Sequence, residues 1–307
     1  MKRLVLIDGH ALLHRAYHAF PLTLTTRRGE LVNAVYGFTR ILLSVLTDLK
    51  PHFLAVAMDL PGGTFRNEEY FGYQVQRPKM DDELSGQIKR VWEIIGALNI
   101  PLFTKENYEA DDVIGTLAKK VAGGKGIEVI IVTGDKDIMQ LVNKKIKVYI
   151  SRRGFAEPEI FDEKRIEEFL GVKPSQIIDY KALIGDSSDN YPGVPGIGPK
   201  TAVELLKKYD NLKKIYQNLD KIKPLVAEKL KNGHESALLS QKLATIVTNI
   251  NLKFNLKKCL IHDYDQQKAV KLFEELEFRS LINKLPGMEK NVVSKKPKEE
   301  KRQMSLL

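Results

Sequence analysis

The chain has 307 residues, 43% of them hydrophobic and 29% charged, enough to bury a sizeable core and to support two domains. Its formal net charge of +10 points to a polyanionic partner, nucleic acid above all. A single cysteine, Cys259, excludes an internal disulfide framework and a Cys-rich zinc site, and no run approaches the roughly 18 apolar residues of a membrane span.

The start, "MKRLVLIDGH", has an apolar run too short for a signal peptide, so a cytoplasmic protein is expected. "RLVLID", "FLAVAMD" and "EVIIVTGD" read as buried strands, being apolar, β-branched and bounded by turn residues. Helical patterns fill the gaps, around Ala34–Leu49, Leu84–Leu98 and Val113–Ala122. That alternation is the pattern of a mostly parallel α/β sheet flanked by helices. The stretch from Gly62 to Glu83 is charged, aromatic and weakly periodic, and reads as an exposed excursion.

From about Phe161 the pattern turns helical, with "LKFNL" near Leu252 as a possible strand. A boundary near Phe169–Lys173 divides an N-terminal α/β domain, residues 1–168, from a helical domain, residues 169–288. Residues 289–307, "EKNVVSKKPKEEKRQMSLL" from Glu289, are predicted to be too polar and charged to fold.

Each of the three strands runs into an aspartate: Asp8, Asp59, and Asp135 with Asp137 just after it. A single Asp there is most often a turn former or helix cap. Four together, at the strand ends where open parallel sheets bind ligands, are a weaker case for that. "NYEADDV" adds Glu109, Asp111 and Asp112 at a helix start, and "GDSSDN" adds Asp186 and Asp189. Two unit charges about 4 Å apart repel by roughly 4 kcal/mol at an effective dielectric near 20. Such a set stays together only if some members are protonated or cations sit among them. Oxygen donors without His or Cys select Mg²⁺ or Mn²⁺, and two such ions can clamp an in-line phosphoryl displacement. A basic protein with this crevice reads as a metal-dependent nuclease.

"NYPGVPGIGPKTAVELLKKY" follows the last acids. Gly193, Gly196 and Gly198 permit tight turns before a helix beginning near Lys200, with Lys200 and Thr201 placed for phosphate contacts. This reads as a helix–hairpin–helix over about residues 176–208 that holds duplex without reading sequence.

"VLIDGH", "AVYGF", "YEADDVIGTLAKK", "TGDKDIMQLV" and "GDSSDNYPGVPGIGPKTA", in this order, resemble the 5′-nuclease (flap endonuclease) superfamily. Within it they are most like the 5′→3′ exonuclease domain of bacterial DNA polymerase I, from about Met1 to Pro286. The resemblance implies a PIN-like or resolvase-like core, a helical arch over residues 62–84, and an all-α subdomain with a helix–three-turn–helix that binds duplex DNA, often with K⁺. It implies Asp8, Asp59, Glu109, Asp111 and Asp112 around one Mg²⁺ or Mn²⁺, and Asp135, Asp137, Asp186 and Asp189 around a second. Arg77 would act beside Asp8, Asp59, Asp112, Asp135 and Asp137 in the chemistry, with Arg15, Tyr36 and Arg66 as further DNA contacts. The implied substrates are DNA with 5′ flaps, nicks or gaps, and RNA-primed 5′ ends; the implied setting is a nucleoid-associated monomer.

Two positions depart from the family's pattern. Gln74 stands where the family has an arch lysine, and losing a charged contact of that kind costs roughly 2.7–4 kcal/mol of transition-state stabilisation. His14 takes the place of an aromatic residue. The alternative reading is therefore a structure-specific DNA-binding protein with weakened catalysis; a PIN-type ribonuclease is a third. With no polymerase after the nuclease region, a stand-alone enzyme is expected. Its last residues, Gln303, Met304, Ser305, Leu306 and Leu307, resemble the pentapeptide that docks bacterial replication proteins on the sliding clamp.

Overall fold

In the computed structural model of the chain, which describes residues 1–150, 158–261 and 264–288, strand and helix alternate through the first half. The elements begin with β1 (Lys2–Asp8), α1 (Gly9–Ala19), α2 (Asn33–Leu49) and β2 (Phe53–Ala57). Then come α3 (Phe65–Glu69), α4 (Asp82–Ser85), α5 (Ile88–Ala97), β3 (Leu102–Phe103), α6 (Ala110–Ala122) and β4 (Ile127–Val132). Strands β5 (Ile146–Ile150) and β6 (Glu159–Phe161) precede α7 (Glu163–Leu170), α8 (Ile177–Ile184), α9 (Pro199–Tyr209) and α10 (Leu212–Gln217). The last are α11 (Pro224–Asn232), α12 (His234–Ala244), α13 (Gln266–Glu275) and α14 (Arg279–Ile282).

The strands form one sheet in the order β3-β2-β1-β4-β5-β6, parallel except for β6, which runs antiparallel to β5. β1 is central and buried on both faces, so it carries no polar alternation. Leu4 and Leu6 point to one core with Ala55, Val129 and Ile131; Val5 and Ile7 point to the other with Val56, Ile130 and Val132. The first core takes in α6 and the helices from α7 to α12, whereas the second packs α1, α2 and α5.

The structure departs from the sequence reading in five places. "LKFNL" forms no strand; residues 252–255 are irregular and lead into a 3₁₀ turn at Leu256–Cys259. The short β3, β5 and β6 were not expected; β3 and β6 carry two and three residues, too few to establish a period, and the apolar run of β5 is interrupted by Lys147. The pattern around Leu84–Leu98 is broken at Gly86 and Gln87 into α4 and α5. Residues 265–288 do not stay with the helical part: Ala269, Phe273, Leu281 and Leu285 are buried against the far face of the sheet. Finally, the excursion over residues 62–83 is not wholly exposed. Phe71 is 91% exposed, but Arg66 and Tyr73 are 2% and 4%.

Candidate active site

Parallel register puts Asp8 opposite Ala57 of β2 and Ile7 opposite Val132 of β4, so the loops after all three strands open at one edge. A cleft of about 1120 Å³ lies there, walled by Asp8, Asp59, Glu109, Asp111, Asp135, Asp137, Asp186 and Asp189. Eight of the nine acids singled out in the sequence thus converge.

Those that follow the strands are held by local devices. Asp8 caps α1, accepting the Ala11 N–H at 3.0 Å on Oδ1, while Thr133 Oγ1 donates to its Oδ2 at 2.6 Å. Thr133 in turn accepts the Asp135 N–H at 3.0 Å, which ties the loop after β4 to the end of β1. Asp59 Oδ1 accepts the Ala110 N–H at 2.6 Å, at the start of α6. Its own N–H donates to His10 Nδ1 at 3.1 Å, so that nitrogen is unprotonated, and burial keeps His10 below the usual imidazole range. Asp137 donates its N–H to Asp135 Oδ1 at 2.8 Å.

Asp137, Asp186 and Asp189 each offer a carboxylate oxygen, and these three oxygens lie within 4.8 Å of one another. Lys181, on the last turn of α8, reaches between them: its Nζ is 2.6 Å from Asp137 Oδ1 and also donates to Asp186 Oδ2. Burial would lower this lysine's pKa, but the two carboxylates hold it above the ordinary range. Asp186 is kept below the usual carboxylate range by Lys181 and Ser188, despite its burial.

Elsewhere in the cleft the crowding acts the other way. Burial, with Asp59 and Asp135 nearby, pushes Asp8 up to about 7. Burial also raises Glu109 to about 7 and Asp137 to about 6, and it lifts Asp111 and Asp189. This is the protonation expected when acids are gathered without enough positive charge.

The ninth acid, Asp112, is a correction. It is fully buried behind the cleft wall, and Arg66 meets it with Nη1 to Oδ2 at 2.7 Å and Nη2 to Oδ1 at 2.8 Å. The N–H groups of Glu109 and Val247 complete its shell, so both oxygens are spent on protein donors and none faces a metal. Arg66 is corrected with it. Its remaining donors go to the carbonyls of Leu243 and Thr245 and, 3.3 Å from Nη1, to Glu109 Oε2, which leaves nothing for a phosphate.

The expected DNA contacts divide. Arg77 is exposed on the cleft wall beside Lys79. Arg15 is half-buried on α1 and does not line the cleft. Tyr36 is half-buried and packs edge-on between Phe20 and Phe278, at 5.3 and 5.2 Å, and it does not line the cleft. Gly193 is buried with φ +61°, and a Cβ there would lie 2.2 Å from the Gly185 nitrogen. Its N–H donates to Ser240 Oγ, so this glycine closes the hairpin on α8 and does not present an amide outward. Gly196 and Gly198 are exposed, Gly198 capping α9 just before Pro199, with Lys200 exposed and Thr201 half-buried in the first turn. The Gly196 carbonyl accepts from Lys229 Nζ at 3.1 Å.

Gln74 lines the cleft, but its amide is taken up by the wall. Its Nε2 donates to Asp189 Oδ1 at 2.9 Å and its N–H to the Asp189 carbonyl at 2.9 Å, with the backbone in the left-handed region at φ +54°. Tyr73 beside it donates to Glu109 Oε2 at 3.4 Å. Lys181, Tyr73 and Thr133 were not singled out in the sequence. Only Lys181 carried a signal, a cation on the otherwise mostly apolar "IIDYKALI", five residues before Asp186.

These residues fit hard divalent cations. The donors are carboxylate oxygens, and an ammonium already takes a cation's part on two of them. The buried Tyr191 hydroxyl, close enough to Asp137, Asp186 and Asp189 to feel their charge, has no hydrogen-bond partner among the described residues. No described helix is long and apolar enough to cross a membrane.

An acid-lined cleft at the strand ends of a mostly parallel sheet, with a helix–hairpin–helix beside it, is the architecture of a 5′ nuclease. The chain belongs to the 5′-3′ exonuclease family: residues 3–171 match its N-terminal resolvase-like domain and residues 172–267 its C-terminal SAM fold. DNA polymerase I of Caldicellulosiruptor bescii is 42% identical over 285 residues, covering 92% of this chain and 33% of that protein. DNA polymerase I of Bacillus subtilis is 41% identical over 285 residues, covering 92% and 32%. The chain thus spans about a third of the length of these relatives. In fold it is similar to the bacteriophage T5 D15 flap endonuclease in complex with DNA and metal ions, with TM-score 0.66 at 20% identity, covering 90% of this chain and 100% of that one. The catalytic core of Rad2 in complex with DNA substrate gives TM-score 0.58 at 19% identity, covering 90% and 87%.

Proposed function

We propose that this chain is a divalent-metal-dependent 5′→3′ exonuclease and structure-specific 5′-flap endonuclease. The observation that carries the reading is the convergence of Asp137, Asp186 and Asp189 within 4.8 Å, in a cleft shared with Asp8, Asp59, Glu109, Asp111 and Asp135. The acids at the ends of β1 and β2 and at the start of α6 are suited to one ion, and the Asp137 group to a second; Mg²⁺ and Mn²⁺ both suit such oxygens. Bound there, the ions would polarise a phosphodiester and lower the pKa of an attacking water.

The protein's own part is positioning. Thr133, Ala110 and Ala11 fix Asp8 and Asp59 through the hydrogen bonds above, so the carboxylates stand ready without rearrangement. Arg77 and Lys79, exposed on the arch side, would meet phosphate charge. Gly196, Gly198, Lys200 and Thr201 would hold the duplex backbone, with K⁺ at the hairpin carbonyls where Lys229 now sits. The substrates would be 5′ flaps, nicked or gapped duplexes and RNA-primed 5′ ends, in the cytoplasm with the nucleoid. The pentapeptide Gln303–Leu307 lies outside the described residues and remains assigned to a sliding clamp on its sequence.

Gln74 supports a second reading, in which the chain binds such DNA with weakened chemistry. Its amide carries no charge and is spent on Asp189. Cleavage of a labelled 5′-flap duplex in Mg²⁺ and in EDTA separates the two.

A further inference from the structure

We infer that Lys181 is a resident counter-cation of the Asp137–Asp186–Asp189 site and is displaced from it when a divalent ion enters. The inference deepens the functional reading above and rests on it. Lys181 sits on α8, whose C-terminal end delivers the chain directly into Asp186. Its Nζ bonds both Asp137 and Asp186, and those two carboxylates with Asp189 are the oxygens that converge. An ion held by all three would therefore lie against an ammonium already in contact with two of them. Two cations at that range repel strongly, and a four-carbon stem lets the ammonium leave while its backbone stays in the helix.

A second observation points the same way. The Tyr191 hydroxyl is buried on a residue only 3% exposed and has no hydrogen-bond partner among the described residues. It belongs to the same hairpin, since Tyr191 and Asp186 exchange backbone hydrogen bonds at 2.9 and 3.0 Å. An ammonium can satisfy Asp137 and Asp186, but it offers no acceptor for that hydroxyl. The water oxygens that accompany a divalent ion do. The acids are thus held together by Lys181 while the site waits, and the arrangement is complete only with a hydrated ion.

The test uses the full chain with Mg²⁺ or Mn²⁺ alone, and no substrate. In the wild type, covalent labelling of lysine amines read by mass spectrometry is expected to modify Lys181 several-fold faster in Mg²⁺ than in EDTA, with Lys207 and Lys208 as unchanged references. Titration calorimetry is expected to show Lys181→Met binding the second Mn²⁺ about ten- to a hundredfold more tightly than wild type, because no charge-assisted bonds must break first. Lys181→Arg is expected to stay near wild type. Should Lys181→Met not fold, labelling of the wild type decides. Ion binding with unchanged labelling at Lys181 would overturn the inference and leave the nuclease reading intact. Absence of any divalent binding would overturn both.

Discussion

The Arg66 guanidinium and the Asp112 carboxylate form a fully buried bidentate pair, at 2.7 and 2.8 Å, that joins α3 to the first turn of α6. Arg66 also donates to the carbonyls of Leu243 and Thr245 at the end of α12. One side chain thus fastens α3, the acid-bearing helix α6 and the end of α12 to one another.

Removing one partner from a buried pair leaves the other charge uncompensated, at about 3–5 kcal/mol. Arg66→Ala and Asp112→Asn are each expected to lose stability of that order in urea unfolding. The double variant is expected to cost less than the sum of the two. A loss below about 1 kcal/mol for Asp112→Asn would mean that the carboxylate serves another role.

Gln74 and Asp189 set a second expectation. Since Gln74 is neutral and hydrogen-bonded to Asp189, Gln74→Lys places a charge between that acid and the incoming phosphate. Single-turnover cleavage is expected to rise about tenfold or more, given that one donor to a reacting oxyanion is worth about 10²–10³ in rate. An unchanged rate would mean that Arg77 or Lys79 already supplies the charge.

The raised acids give a pH dependence with a definite sign. With no cation present, Asp8 and Glu109 titrate near 7 in the folded protein but near the ordinary carboxylate values when unfolded. Between about pH 4 and 7 the folded state therefore holds more protons, so stability falls as pH rises and its loss is complete above 7. Scanning calorimetry in EDTA is expected to show Tm dropping by several degrees from pH 5 to 8, at roughly 2–4 °C per kcal/mol. In Mg²⁺ that drop should largely vanish, because the ion stabilises the ionised acids. A Tm in EDTA that climbed over the same range would contradict the electrostatic account.

The tail makes an independent expectation. Deleting Gln303–Leu307 should abolish binding to a bacterial sliding clamp in surface plasmon resonance and leave cleavage of a free flap duplex unchanged. Retained clamp binding would remove the assignment.

How much of this was legible in the sequence depends on the kind of interaction. The sheet could be read because β1, β2 and β4 hold continuous apolar runs, and their strand ends brought Asp8, Asp59, Asp135 and Asp137 to one edge. Helix starts were readable too, since "NYEADDV" carries its own capping chemistry. Partnership across the fold was not readable. Asp112 looked like Asp111, one residue earlier, but the helical turn aims it away from the cleft and onto Arg66, 46 positions back. Arg66 looked like an exposed cation because its neighbours on the arch are charged. Lys181 stood out as a cation on a mostly apolar helix, but its pairing with Asp137, 44 residues away, comes from the packing of α8 and is not written in the local sequence.

The central claim, metal-dependent hydrolysis at the 5′ end of structured DNA, is tested most directly by one cleavage assay. A duplex with a labelled 5′ flap is incubated with the wild type in Mg²⁺, with the wild type in EDTA, and with Asp135→Ala in Mg²⁺. Asp135 is exposed at the cleft and needed for no buried contact, so its loss should spare the fold. The expected result is release of the flap by the wild type in Mg²⁺ alone, with the other two slower by at least about 10²-fold, as befits loss of a cation or its ligand. Equal rates for wild type and Asp135→Ala, or cleavage undiminished by EDTA, would contradict the account.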